Sequence, residues 1–190
     1  MGEAKRRKEA LRKVMVDELR ALAAPPSEAE QKLASILMGL SAKQAYRESA
    51  EKLAWAKMKP RECHANVSFY VNADPSKQAT HVVGWWKQAH QFVLHSVIGM
   101  GPNLVCITPQ QRGVPETFLF APDPEITWAD EGEGVRRFYR DGILVPKIVR
   151  TDPAAATGVA TIGLERLAHG MDPARVWDLI DDEMGRRFSR

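Results

Sequence analysis

The chain has 190 residues and a mass of 21.2 kDa, long enough to bury a sizeable core, and one compact domain is expected. A composition of 44% hydrophobic and 27% charged residues, with no repeat at a fixed period, excludes wholesale disorder and fibrous architectures. The net charge of +3 is too small to imply nucleic acid by itself, and no apolar run approaches the roughly 20 residues of a membrane span.

The amino terminus, Met-Gly-Glu-Ala-Lys-Arg-Arg-Lys, lacks the apolar stretch of a secretory signal, so a cytoplasmic protein is expected. Two cysteines cannot form a disulfide framework, which leaves Cys63 and Cys106 as thiols. Residues 1–20 hold seven basic groups (Lys5, Arg6, Arg7, Lys8, Arg12, Lys13, Arg20) against four acidic ones. That pattern suits a solvated helix face or a contact to an acidic partner; with no interleaved aromatics to stack bases, a nucleic-acid partner is not expected.

Leu11, Val14, Met15, Leu19 and Leu22 recur at helical spacing and predict a helix over 4–22 that Pro25 and Pro26 end. Ser27 with Glu30, and Ser41 with Gln44, are capping-box patterns; the second predicts a helix running to about Met58. The domain is therefore expected to open with a helical region over 1–59. Pro60 breaks it, and Cys63 then precedes Asn66, Val67, Phe69 and Tyr70, a short helix with Cys63 at its amino end. From Thr80 to Thr108 the β-branched and aromatic runs predict three antiparallel strands, the core of a sheet of 3–5 strands within residues 60–150. If Gly99–Pro102 is a four-residue loop, Ile98 faces Asn103 and His95 lies directly opposite Cys106. Phe118–Phe120 and Ile143–Val149 are expected as edge strands, with a turn at Asp141-Gly142. Asp152-Pro153 and Asp172-Pro173 predict helices over 153–169 and 173–184 within a carboxy-terminal region, 151–190, the second ended by Gly185. Helices, a strand meander and helices again describe an α+β domain.

Both cysteines and four of the five histidines fall between Arg61 and Pro109. An ionised cysteine is a strong nucleophile, and a helix amino terminus and a nearby imidazole are two devices that lower its pKa. Cys63 is expected to have the first and His95 to supply the second. His64 would gate the thiol, and Trp85 or Trp86, on opposite faces of one strand, would wall a substrate cleft. His81, His90 and His169 are expected to be incidental to the chemistry.

The order of Cys63 on a helix, His95 on a strand and a polar residue on the next strand resembles the papain-like and transglutaminase-like superfamily. More narrowly, Cys63-His64-Ala65-Asn66-Val67, Gly84-Trp85, His95-Ser96-Val97 and Cys106-Ile107-Thr108-Pro109 resemble a poorly characterised bacterial and phage family with Cys-His-x-Asn-Val, Gly-Trp, His-x-Val and Asp-x-Thr-Pro boxes. The resemblance covers about 50 residues and implies a thiol-protease-like acyl-transfer enzyme, a hydrolase or transferase, acting on a peptide or other acyl-containing substrate. Cys63 would be the nucleophile, His95 the general base and Cys106 the third member, where the family carries Asp. A neutral thiol cannot supply a carboxylate's charge, so Thr108 or Asn66 would have to substitute, or the site would be weakened. Asn66 is also a candidate oxyanion donor beside the Cys63 amide.

No cofactor is implied by this chemistry. Cys63, His64, His95 and Cys106 nevertheless form a Cys2His2 set of the type zinc prefers, without the usual paired spacing. A non-enzymatic binding or adaptor protein, with these residues lining a recognition cleft, competes with both.

Overall fold

The computed structural model describes residues 2–88, 90–109, 115–132, 136–176 and 178–180, and they form an α+β protein. The chain divides into two units, Met1–Ser27 with Arg150–Arg190, and Glu28–Val149. The first and last segments therefore share a unit. Among the described residues no helix is long and apolar enough to cross a membrane.

In the first unit, α1 (Glu3–Ala23) packs on α5 (Pro153–Ala168) through Met15, Leu19, Val159, Ala160 and Leu167. Asp152 caps α5 by accepting from the Ala155 amide, with proline in the first turn as its sequence predicts. Gly163 permits close helix contact, because a Cβ there would lie 2.9 Å from Leu19 and Ile180 side-chain carbons. Residues 173–176 and 178–180 are helical, and the expected end of that helix at Gly185 lies outside the described residues.

The second unit is built on a six-stranded sheet ordered β2-β5-β1-β4-β3-β9, with β2 also paired to β3. Its strands are β1 (Lys43–Arg47), β2 (Ala79–Lys87), β3 (Gln91–Met100), β4 (Asn103–Cys106), β5 (Thr117–Pro122) and β9 (Ile148–Arg150). Because β2 pairs with both β3 and β5, five of these strands close into a small barrel, and β9 extends it at β3. Closure leaves those strands without free edges. A separate three-stranded sheet holds β6 (Ile126–Asp130), β7 (Arg136–Arg140) and β8 (Ile143–Leu144). Asp141 and Gly142, with φ of 49° and 72°, make the expected turn between β7 and β8.

Alternation along the strands sorts the side chains. Ala45, Val97, Leu104, Cys106, Phe118 and Phe120 fill the barrel. On its outer face Trp85, Phe92 and Leu94 pack under Leu33 and Leu37 of α2 (Glu28–Met38). Ile98 and Ile107 pack under Leu53 of α3 (Ala50–Trp55) and Val67 of α4 (Cys63–Ala73).

Four expectations are corrected. The helix predicted from Ser41 to Met58 is strand β1 followed by short α3, which Ser49 caps at the Lys52 amide. Tertiary pairing overrides the local pattern: β1 runs parallel to β4 and antiparallel to β5, and Ala45 is buried between them. The hairpin loop is two residues long, Gly101-Pro102, so Met100 faces Asn103 and Ile98 faces Val105. Gly99 is needed within the strand, where a Cβ would lie 2.6 Å from Thr80 Oγ1, and Gly101 supplies the positive φ of the turn. Phe118–Phe120 belong to β5, which is a central strand, because β1 covers its second edge. Ile143–Val149 is split between β8 and β9 across Pro146, which has no amide to donate to a ladder.

Gly84 sits where β2, β3 and β5 converge, and a Cβ there would lie 2.3 Å from the Ala121 carbonyl oxygen and 2.8 Å from the Phe120 ring. Gly84→Ala is expected to cost about 1–3 kcal/mol in chemical denaturation through overpacking. Gly158→Ala, on α5 with open space around the Cβ position, is expected to gain about 0.4–1 kcal/mol. Equal effects at the two sites would contradict the tight strand contact.

Candidate functional site

Pro60 and a left-handed Arg61, with φ of 64°, turn the chain before α4, so that helix begins at Cys63 as its sequence predicts. Asn66 fixes this approach. Its amide donates 2.8 Å to the Lys59 carbonyl and 3.4 Å to Thr108 Oγ1, and its oxygen accepts 3.0 Å from the Lys59 amide. Asn66 and Thr108 are therefore joined in a brace under α4. The side-chain N–H groups of Asn66 are thereby engaged, which explains its burial and leaves no case for it as an oxyanion donor.

α4 packs on β3 where the edge of that strand is split. Leu94, Ser96 and Ile98 direct their amides to one edge by alternation. The Leu94 amide donates to the Lys147 carbonyl at 3.0 Å, and the β4 pairing begins at Ile98. Between them the Ser96 amide is turned toward the sulfur of Cys63. Cys63 is half-buried there, and no hydrogen bond joins it to His95.

His95 points the other way along the pleat, into the barrel, facing Gly84 across β2. Its Nε2 lies 3.2 Å from Cys106 Sγ. The expected direct cross-strand pairing of these two residues is displaced by two positions, and their contact survives because a two-residue shift keeps both side chains on one face. Cys106 is fully buried, and its Sγ also lies 3.8 Å from the Thr108 carbonyl oxygen.

Arg47, at the end of β1 and directly across from Cys106 on β4, was not singled out by the sequence. Its Nη1 is 3.6 Å from Cys106 Sγ and its Nε donates 2.9 Å to the Pro115 carbonyl. The guanidinium lies 4.6 Å from the Trp86 ring and 4.3 Å from the Phe118 ring, seated on an edge-to-face aromatic pair. Trp86 and Phe118 also flank His95, at ring separations of 6.3 and 6.0 Å. The two tryptophans thus divide: Trp86 belongs to this cluster, whereas Trp85 is core, donating 3.1 Å to Asp123, which also accepts from Arg140.

A second network lies on the outer side of β3. Ser96 Oγ is 2.6 Å from His64 Nδ1 and 2.8 Å from His81 Nε2, and His81 Nδ1 reaches Ser68 Oγ at 3.4 Å. A hydroxyl has one proton, so Ser96 can donate to only one of the two imidazoles, and at least one ring donates to it. His64 packs tilted against Phe138 at a ring separation of 4.3 Å, and His81 stacks on Trp128. His81 is therefore part of a built network, which its place near a strand edge did not reveal. With His64 committed to Ser96 and His95 to Cys106, no three His, Cys, Asp or Glu side chains converge on a metal position among the described residues.

Burial decides the protonation states. It pushes the Cys63 thiol above its ordinary value, outweighing the amides of Ser96, His64 and Cys63 that face the sulfur, and negative charge on Cys106 adds to the rise. The lowering expected at a helix terminus is thus reversed. Burial, with Arg47 and His64, pulls His95 down to about 3, and burial, with His81 and Arg136, pulls His64 down to about 4. The site rests as a thiol beside neutral imidazoles.

The chain matches no protein-family model, no curated protein and no solved structure.

Well above pH 6.5 these histidines are neutral in the folded and the unfolded chain and contribute no pH dependence. Between 6.5 and about 4 the unfolded chain takes up protons that folded His64 and His95 refuse, so stability falls as pH falls. Denaturant midpoints measured across that window are expected to decline, and to decline less steeply in His64→Gln. A midpoint independent of pH would contradict neutral burial of the rings.

Proposed function

We propose that this protein is a cysteine-nucleophile acyl-transfer enzyme in which Cys63 attacks the acyl carbon of an amide or ester, with His95 as general base, in an arrangement resembling the papain-like and transglutaminase-like enzymes. The observation that carries this is the order around the split edge of β3: Cys63 opens α4 against the Ser96 amide, and the neighbouring His95 is gripped through Nε2 by Cys106 at 3.2 Å. The remaining ring nitrogen, Nδ1, makes no hydrogen bond among the described residues and is the one that would serve as the base.

Cys106 is the sulfur bonded to the imidazole, but its complete burial inside the barrel denies it to a substrate, whereas Cys63 is partly accessible. Because Cys63 and His95 rest neutral, the proton passes from Sγ to Nδ1 as the carbon–sulfur bond forms, with no preformed ion pair. The tetrahedral oxyanion would accept from the amides of Cys63 and Ser96. Its collapse forms a thioester and expels the amine or alcohol, which takes the proton from His95. Water or an amine then receives the acyl group and restores the thiol.

The substrate is a peptide or another acyl compound; the basic face of α1 would meet an acidic partner. A binding or adaptor role is the second reading, favoured by the upward push of burial on Cys63. Labelling separates the two. Iodoacetamide modification of Cys63, followed by peptide mass spectrometry, is expected to fall about 10²-fold or more in His95→Ala, and turnover of p-nitrophenyl acetate is expected to vanish in Cys63→Ser. Labelling of Cys63 that ignores His95, in a folded variant, would establish the binding role instead.

A further inference from the structure

The acyl-transfer reading leaves Arg47 and the fully buried Cys106 unexplained, and this inference rests on that reading. A guanidinium seated on two aromatic rings at the end of a barrel, partly buried, has lost part of its hydration and favours an anion. Among the described residues no carboxylate pairs with Arg47, and its Nη2 is buried without a hydrogen-bond partner. The acidic group that it meets is the thiol of Cys106, 3.6 Å from Nη1 and directly opposite on the parallel strand. Two nitrogens, Arg47 Nη1 and His95 Nε2, thus converge on one sulfur.

We propose that Cys106 is held as a thiolate by Arg47 and serves as the anionic third member of a Cys63–His95–Cys106 triad, with Cys106 and Arg47 acting as positioning residues. A thiolate can only accept, so it fixes the proton of His95 on Nε2 and leaves Nδ1 bare, the tautomer that the proposed base requires. A neutral thiol could instead donate to Nε2 and place the proton on Nδ1, which disables the base. The thiolate also offsets the imidazolium formed as Cys63 attacks. Arg47 faces Cys106 from β1, His95 from β3 and Cys63 from α4 across electrostatic reach, while the Thr108 carbonyl oxygen of its own segment, 3.8 Å away, is the acceptor that a neutral thiol would use instead. Arg47 responds in kind, its pKa lowered by burial while attraction to Cys106 opposes the fall.

The deciding measurement is the ultraviolet thiolate absorbance of Cys63→Ser, in which Cys106 is the sole thiol, titrated under native conditions. The midpoint is expected at least about one unit below the ordinary 8.5 of a free cysteine, and Arg47→Gln is expected to raise it by a similar amount. Arg47→Lys, which keeps the charge, is expected to restore most of the shift. A native midpoint at or above the ordinary value overturns the proposal even if no Arg47 variant folds, as does a low midpoint that survives Arg47→Gln. The test is independent of the parent reading, because Cys106 titrates in a protein that lacks the nucleophile. Cys63 labelling that ignores His95 would sink the enzyme and leave this midpoint untouched.

Discussion

A 3.2 Å contact between the imidazole of His95 and the sulfur of Cys106 organises the interior of the barrel. It brings β3 and β4 together just beyond the point where their backbone pairing ends, and it joins the apolar barrel filling to the polar end marked by Arg47. On the neighbouring strand Gly84, the ladder partner of His95, has no side chain, and Phe120 occupies the space that a Cβ would need. Buried polar groups are costly unless paired, so imidazole, thiol and guanidinium stabilise one another as a set.

The edge of β3 is split on either side of Ser96, between the Lys147 carbonyl and β4. A fully paired strand would commit the Ser96 amide to a ladder; instead the amide meets Cys63, at the first residue of α4. The Asn66 brace, anchored on Lys59 and Thr108, holds the helix start against the sheet from below. Side chains on the two faces of one strand therefore serve different ends, His95 inward toward Cys106 and Ser96 outward toward His64 and His81.

Elements governed by local chemistry were legible in the sequence. Proline and aspartate caps announced α5, helical periodicity announced α1, and β-branched runs announced β2, β3 and β4. Strand β1 was not, because Lys43–Arg47 is stabilised by partners more than 50 residues away and its own residues also suit a helix. Arg47 was missed for the same reason: without β1 as a strand, nothing places that arginine opposite Cys106. The register error at Gly101-Pro102 did no damage to the His95–Cys106 pairing, since a shift by two conserves the face and a shift by one would have destroyed it. The pKa of Cys63 was misjudged because a helix terminus is visible in a sequence and burial is not.

Base chemistry at His95 depends on which nitrogen carries the proton, because the same geometry supports a base at Nδ1 only if Cys106 accepts from Nε2. Nitrogen NMR of His95 in the wild-type protein at neutral pH reads this directly. A neutral ring protonated at Nε2 is the predicted result. A neutral ring protonated at Nδ1, with Cys106 donating to Nε2, would contradict the triad and leave the buried cluster a structural one.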